Sequence, residues 1–170
     1  MIPTLHTDRL TLRAPRADDL DAFATFCASE RTALLGGPYN RAQSFDRLCS
    51  LVGHWQLRGF GRWMVADRAT DEPLGVVGLL FPEGWPEPEI AWSVFGKAEG
   101  RGIAYEAALG ARSYAYDTLD WSTAISLIDP TNTRSVALAR RMGCTDGKTW
   151  QHPNGTLLDI WRHPEPEAQQ

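Results

Sequence analysis

Between Trp63 and Phe95 the chain reads as three apolar, strand-like runs in close succession, and this stretch constrains the fold most. The runs cover residues 63–66, 74–81 and 89–95; a polar turn over 67–73 and a proline-rich connection over 82–88 separate them. A parallel pair would need a crossover of a dozen or more residues, so connections this short predict an antiparallel meander.

The flanking segments keep other periods. Residues 7–13 alternate, with Leu10 and Leu12 on one face, and predict a strand. Asp18 and Asp19 load the first turn of a helix carrying Leu20, Phe23, Ala24 and Cys27 at helical spacing. A loop over 35–39 leads to a second helix, on which Phe45, Leu48, Val52 and Trp55 form a stripe that stops near Gly59. After Gly100-Arg101-Gly102 a third helix places Ala104, Ala108, Ala111 and Ala115 on one face, small enough to lie close to a sheet. Residues 121–128 read as a strand, 132–143 as a helix, and Pro153-Asn154-Gly155 as the turn of a closing hairpin. The order β-α-α-β-β-β-α-β-α-β-β predicts a layered α/β domain over 1–163 with helices on both faces of a mixed sheet, and a frayed, disordered tail over 164–170.

Charge and cysteine usage narrow the function classes. The 170 residues hold 17 Lys and Arg against 21 Asp and Glu, a formal charge of -4. No cationic surplus exists to neutralise a phosphate backbone, so a nucleic-acid partner is not expected. No run approaches the ~18 apolar residues of a membrane span, and the first residues lack the pattern of a secretory signal. Cys27, Cys49 and Cys144 are far apart without a Cys-x-x-Cys pair, and the four histidines have no ligand-spaced partners. The expectation is a cytoplasmic protein without a disulfide framework, a metal or a membrane partner.

Three sites carry chemistry. Gly100-Arg101-Gly102-Ile103-Ala104 opens a helix, where free N–H groups and the helix dipole favour an anion; alone, the pattern is equally a tight turn. Asn132-Thr133-Arg134-Ser135 opens the next helix, where Asn is first of all an N-cap. Glu89 starts the strand before the glycine loop and, alone, reads as a solvated edge residue. Together, Pro88-Glu89-Ile90-Ala91-Trp92, then Gly100-x-Gly102-x-Ala104-x-Glu106-Ala107, then Asn132-x-x-Ser135 and Gly143 resemble the GNAT superfamily of acyl-CoA-dependent N-acyltransferases. Thr7-Asp8-Arg9-Leu10-x-Leu12-Arg13, Asp18-Asp19-Leu20 and the hairpin with Asn154-Gly155 and Asp159 look like its RimJ/RimL-type branch, which acetylates protein N-termini.

The resemblance implies a mostly antiparallel sheet of about seven strands with about four helices, splayed between the 89–95 and 121–128 strands to admit acetyl-CoA. Pantetheine would take main-chain hydrogen bonds from Trp92, Ser93 and Val94. The pyrophosphate would rest on the amides of Glu99, Gly100, Arg101, Gly102, Ile103 and Ala104, with Asn132 and Ser135 on the opposite wall. An amine acceptor (small molecule or protein N-terminus) would attack the thioester directly. Glu89 would be the base and Ser135 a proton donor to the leaving thiol, with an N–H near Ser93 or Val94 polarising the carbonyl.

Three residues depart from the family pattern, one of them Cys144, which replaces the usual aromatic after Gly143 and reads as a change in the core. Ala139 stands where many members place a Tyr acid, and Glu99 puts a carboxylate beside the expected pyrophosphate, with Lys97 and Arg101 as the expected counter-charges. These last two departures motivate a competing reading, a catalytically silent acyl-CoA-binding or sensing module; a nucleotide-binding domain built on the glycine loop is a third. On the acceptor side, Trp85 is expected in a substrate-facing loop. His54 reads as structural, Tyr39 either lines an acceptor mouth or seals a loop, and His152 reads as exposed. The state expected is monomer or homodimer.

Overall fold

The computed structural model describes residues 1–166. Among them, eight strands form one sheet in the order β1-β2-β3-β4-β5-β6-β8-β7. The strands are β1 (Leu5–His6), β2 (Leu10–Arg13), β3 (Arg62–Asp67), β4 (Pro73–Leu80), β5 (Glu89–Val94), β6 (Ile125–Ile128), β7 (Thr145–Gln151) and β8 (Leu157–Arg162). The α-helices are α1 (Leu20–Cys27), α2 (Arg41–Arg58), α3 (Ile103–Asp117) and α4 (Thr133–Arg141), with 3-10 turns at Ala17–Asp19, Glu30–Leu35 and Gly96–Ala98. The meander is present, since β3, β4 and β5 pair antiparallel in sequence order.

Alternation along these strands divides the core into two layers. Met64, Val76 and Phe95 meet Phe23, Phe26, Leu48 and Leu51 of α1 and α2 on one face. Trp63, Val65, Val77, Leu79 and Ile90 meet Ala107, Ala108, Ala111 and Ala115 of α3 on the other. All four alanines are fully buried, so the absence of longer side chains is what lets α3 approach the sheet. Under the α1 entry, Arg13 donates to both oxygens of Asp19 at 2.8 and 2.9 Å in a buried, two-pronged ion pair. Asp19 also accepts from the Arg16 amide at 2.7 Å, so it serves the chain's turn into the helix as well as Arg13.

Several expectations change in detail. The α2 stripe that faces the core is Ser44, Leu48, Leu51 and Trp55, while Phe45 and Val52 are exposed. Both series have helical spacing, and the orientation of α1 against α2 selects between them. On α3, Ala107 replaces Ala104 in the buried series. Residues 7–9 form a turn, in which the Thr7 amide donates to the Leu10 carbonyl, and the strand itself begins at Leu10. The 121–128 run is strand only over Ile125–Ile128. The expected tail begins at Pro164, whose carbonyl accepts from the Tyr116 hydroxyl at 2.8 Å, and residues 167–170 lie outside the described residues.

Candidate active site

The sheet parts between β5 and β6. The two strands run parallel, and their register holds a single bridge, Glu89↔Ile125, although β5 is paired with β4 from Glu89 to Val94. The Phe95 amide donates to the Leu74 carbonyl, so by alternation the main-chain groups of Ala91 and Ser93 face β4 while those of Trp92 and Val94 face the gap. Polar main chain in such a gap needs a partner. Just beyond the bridge side chains supply it, as the Ser126 hydroxyl donates to the Ile90 carbonyl at 2.6 Å and the Leu127 amide donates to Glu89 Oε1 at 3.0 Å. Farther out, no backbone pair among the described residues joins the two strands.

From there an open groove of about 910 Å³ runs to the start of α3. Trp92, Ser93 and Val94 form one wall, and Asn132, Ser135 and Leu138 form the other. Glu99, Gly100, Gly102, Ile103 and Ala104 close its outer end. Gly100 and Gly102 adopt φ of 70° and 76°, the left-handed region that glycine enters without a Cβ clash, and this turns the chain abruptly into α3. The turn leaves the first amides of the helix unpaired at the groove. Arg101 differs from its neighbours, because it is exposed and does not line the groove.

The Thr7-Asp8-Arg9 segment holds this turn in place. Glu106 accepts from the Thr7 hydroxyl at 2.5 Å and from the Arg9 amide and Nε at 2.9 and 2.7 Å, and Arg9 also donates to the Arg101 carbonyl at 2.9 Å. Burial pushes the Glu106 carboxyl upward, but these hydrogen bonds outweigh it and hold the group below its ordinary range. If CoA rests on this turn as the sequence resemblance implies, Arg9→Ala should weaken its binding about tenfold, measured by calorimetry, because a loosened turn must be ordered by the ligand.

The expected site residues fall into two groups. Asn132 spends its side-chain oxygen on the Ser135 amide at 3.1 Å and caps α4 while lining the groove. Ser135 Oγ accepts from Trp92 Nε1 at 3.2 Å, which leaves its own proton free to be donated. Glu99 is neutralised by Arg31 and Arg134, with the latter at 2.6 Å, and these cations take the place of Lys97 and Arg101. Ala139 is fully buried in the core and cannot reach the groove.

Glu89 stands apart, at the apex where β5 and β6 meet. It is 5% exposed and accepts from Trp85 Nε1 at 2.6 Å and from Leu127. Burial pushes its carboxyl up to about 7, against the opposing pull of both hydrogen bonds and of the Arg62 charge. Trp85 is therefore bound to the carboxylate, and its ring meets Trp150 and His152 at 5.6 and 5.2 Å. His152, expected to be exposed, is half-buried in that cluster. His54 has both ring nitrogens engaged, with the Phe60 carbonyl and the Phe81 amide, and Tyr39 bonds the Leu35 carbonyl. Cys144 is buried, with its thiol pushed up to about 11 by desolvation, which disfavours the nucleophilic thiolate.

Sequence reasoning did not single out Arg31, Tyr105 or Arg141 as groove residues. Arg141 stacks 3.9 Å from the Tyr105 ring centroid, a contact between two helices that no local pattern announces.

The sequence profile of the family described as "Acetyltransferase (GNAT) domain" matches residues 9–145. A solved acetyltransferase from Agrobacterium tumefaciens is 35% identical, with 96% of this chain and 95% of that one covered and a TM-score of 0.87. An uncharacterised N-acetyltransferase of Bacillus subtilis, YoaA, is 28% identical over 94% of both chains. RimL, a ribosomal L7/L12 alpha-N-protein acetyltransferase solved in complex with coenzyme A, is 20% identical with a TM-score of 0.73 over 98% of this chain and 100% of that one, a likeness of fold.

Proposed function

The chain belongs to the GNAT acetyltransferase family, and on that premise we propose that it transfers the acetyl group of acetyl-CoA to a primary amine, with Glu89 as general base. The observation that carries this reading is the position of Glu89, a buried carboxyl raised to about 7 at the closed end of a gap in the sheet. Acid–base catalysis is most effective when the group's pKa lies near the working pH.

The groove suits the co-substrate chemically. Unpaired main chain at Trp92 and Val94 matches the amides of a pantetheine arm, as it would an added strand. The amides around Gly100 and Gly102, at the start of a 15-residue helix, match a pyrophosphate. RimL, which shares the fold, was solved with coenzyme A. Bound acetyl-CoA supplies an activated thioester, and the residues of this chain manage protons and charge around it.

A carrier anchored at the glycine loop and running along β5 towards the bridge point leads to Glu89. At ~3.3 Å per residue, Val94 stands about 16 Å along the strand from Glu89, so a chain of several waters, rather than a direct contact, relays the proton. The amine loses its proton to Glu89, and nitrogen attacks the thioester carbonyl. The oxygen takes up the charge against the gap-facing N–H of Val94, since the Ser93 N–H points to β4. Collapse breaks the C–S bond; the nitrogen gives up its second proton to solvent as the amide forms, and the thiolate takes the Ser135 proton, which solvent replaces.

Release of free CoA from acetyl-CoA, followed across a panel of primary amines, tests the reading; the expected result is amine-dependent release with a new amide in the product. Tight CoA binding without release for any amine would favour the silent binding module.

A further inference from the structure

A second cavity adjoins the groove on the α1/α2 face. It measures about 170 Å³, and Phe26, Leu35 and Ser93 line both spaces, so it opens beside the part of β5 where the carrier would lie. That volume is below the roughly 300–1,000 Å³ of drug-sized ligand sites and suits a molecule the size of an amino acid. Phe23, Leu51 and Val76 give it an apolar body.

Its charge is one-sided. Arg47 and Arg62 both line it, and no Asp or Glu is among the described lining residues. Among the described residues neither Arg47 nor Arg62 has an ion pair; Arg47 stacks 4.1 Å from the Tyr39 ring centroid, and Arg62 lies opposite Gly78, which has no side chain to cover it. Among the described residues Arg68, Arg101, Arg112, Arg140 and Arg141 are also without an ion pair, but none of them lines this cavity. Burial lowers the Arg62 pKa to about 10, Glu89 opposes that shift and the Arg47 charge adds to it, so Arg62 stays cationic beside a like charge. Two such cations in a small, partly apolar cavity lack the anion that would offset their desolvation.

We propose that this cavity is the acceptor's anion pocket: the amine acetylated by this protein carries a carboxylate or phosphate that Arg62 and Arg47 bind beside Ser93. The inference rests on the transfer reading above and narrows its substrate to small amines bearing an anionic group. Two features make the pocket selective. Guanidinium forks match both oxyanions, and the apolar walls disfavour a hydrated neutral tail.

Matched acceptors test it. Alanine is compared with alaninamide, and phosphoethanolamine with ethanolamine, as kcat/KM per unit of free amine. In at least one pair the anionic member is expected to be favoured roughly ten- to hundredfold, mainly through KM, and the pair that responds identifies carboxylate or phosphate. Arg62→Met and, separately, Arg47→Gln are expected to erase the ratio; using a ratio cancels any effect of Arg62 on Glu89. Equal twins in both pairs, or a preference that survives both substitutions, would overturn the pocket. If no amine releases CoA, it is the transfer reading that fails. The pocket is then judged by calorimetry of the CoA complex with N-acetylalanine and its amide. Binding of the acid alone, lost in Arg62→Met, upholds it, and no difference overturns it.

Discussion

Glu89→Gln is expected to lower the rate of acetyl transfer by roughly 10²–10⁴-fold, the usual contribution of a positioned base, while CoA affinity changes less than about twofold. The separation follows from geometry, because Glu89 sits at the apex and does not line the groove. A second signature is in the pH profile. The wild-type kcat/KM should rise with pH through about 7 as Glu89 loses its proton, and the variant should keep only the limb set by the amine's own ionisation. Stability should move the opposite way. The folded pKa lies above the ordinary 4.5, so the Glu89 contribution is present at low pH and is lost as pH rises through about 7. The loss between pH 5 and pH 8 is on the order of 3 kcal/mol, and urea titrations at the two pH values would show it in wild type but not in the variant. Glutamine has one acceptor where the carboxylate meets two donors, Trp85 and Leu127, so a modest, pH-independent loss in the variant is expected as well.

Asp19→Ala is expected to cost about 3–5 kcal/mol, a large share of the roughly 5–15 kcal/mol that holds a domain of this kind together. The substitution leaves Arg13, whose side chain is 5% exposed, with only Asp71 as a counter-charge, and Asp71 is half in solvent. It also takes the acceptor from the Arg16 amide at the entry to α1. Urea unfolding should show a lower midpoint with unchanged slope. Replacing both members, Arg13→Met with Asp19→Leu, should recover part of the loss, since the penalty lies mainly in the orphaned cation rather than in the missing attraction. A fall in midpoint as large as that of the single variant would assign the cost to the turn instead.

Local signals in the sequence carry much of the architecture. The meander, the Asn132 cap and the Asn154-Gly155 hairpin are encoded by residues within a few positions of one another, and the structure shows all three. Failures occur where two local solutions are equally good or where the deciding partner is distant. Phe45 and Val52 fit the helical period as well as Leu51 does, and only packing against α1 chooses. Residues 121–124 have strand-like composition but no strand to pair with. Of the candidate site, the glycine turn, Glu89 and the Asn132-x-x-Ser135 corner were readable as pieces. The partners that set their chemistry were not. Arg31 and Arg134 reach Glu99 from 68 and 35 residues away, and the Leu127 amide meets Glu89 from 38 away. Arg62 looks in sequence like an ordinary edge cation; its lack of a partner becomes visible only when the cavity around it does.

The single bridge between β5 and β6 has a mechanical consequence. Five strands form one slab and three form another, and the joint between them is stitched by one backbone rung and two side-chain bonds. Such a seam resists shear poorly compared with a continuous ladder. An occupant lying along it would act as mortar, and its departure would return the protein to its most pliable state at the point in the cycle when a fresh occupant must be admitted.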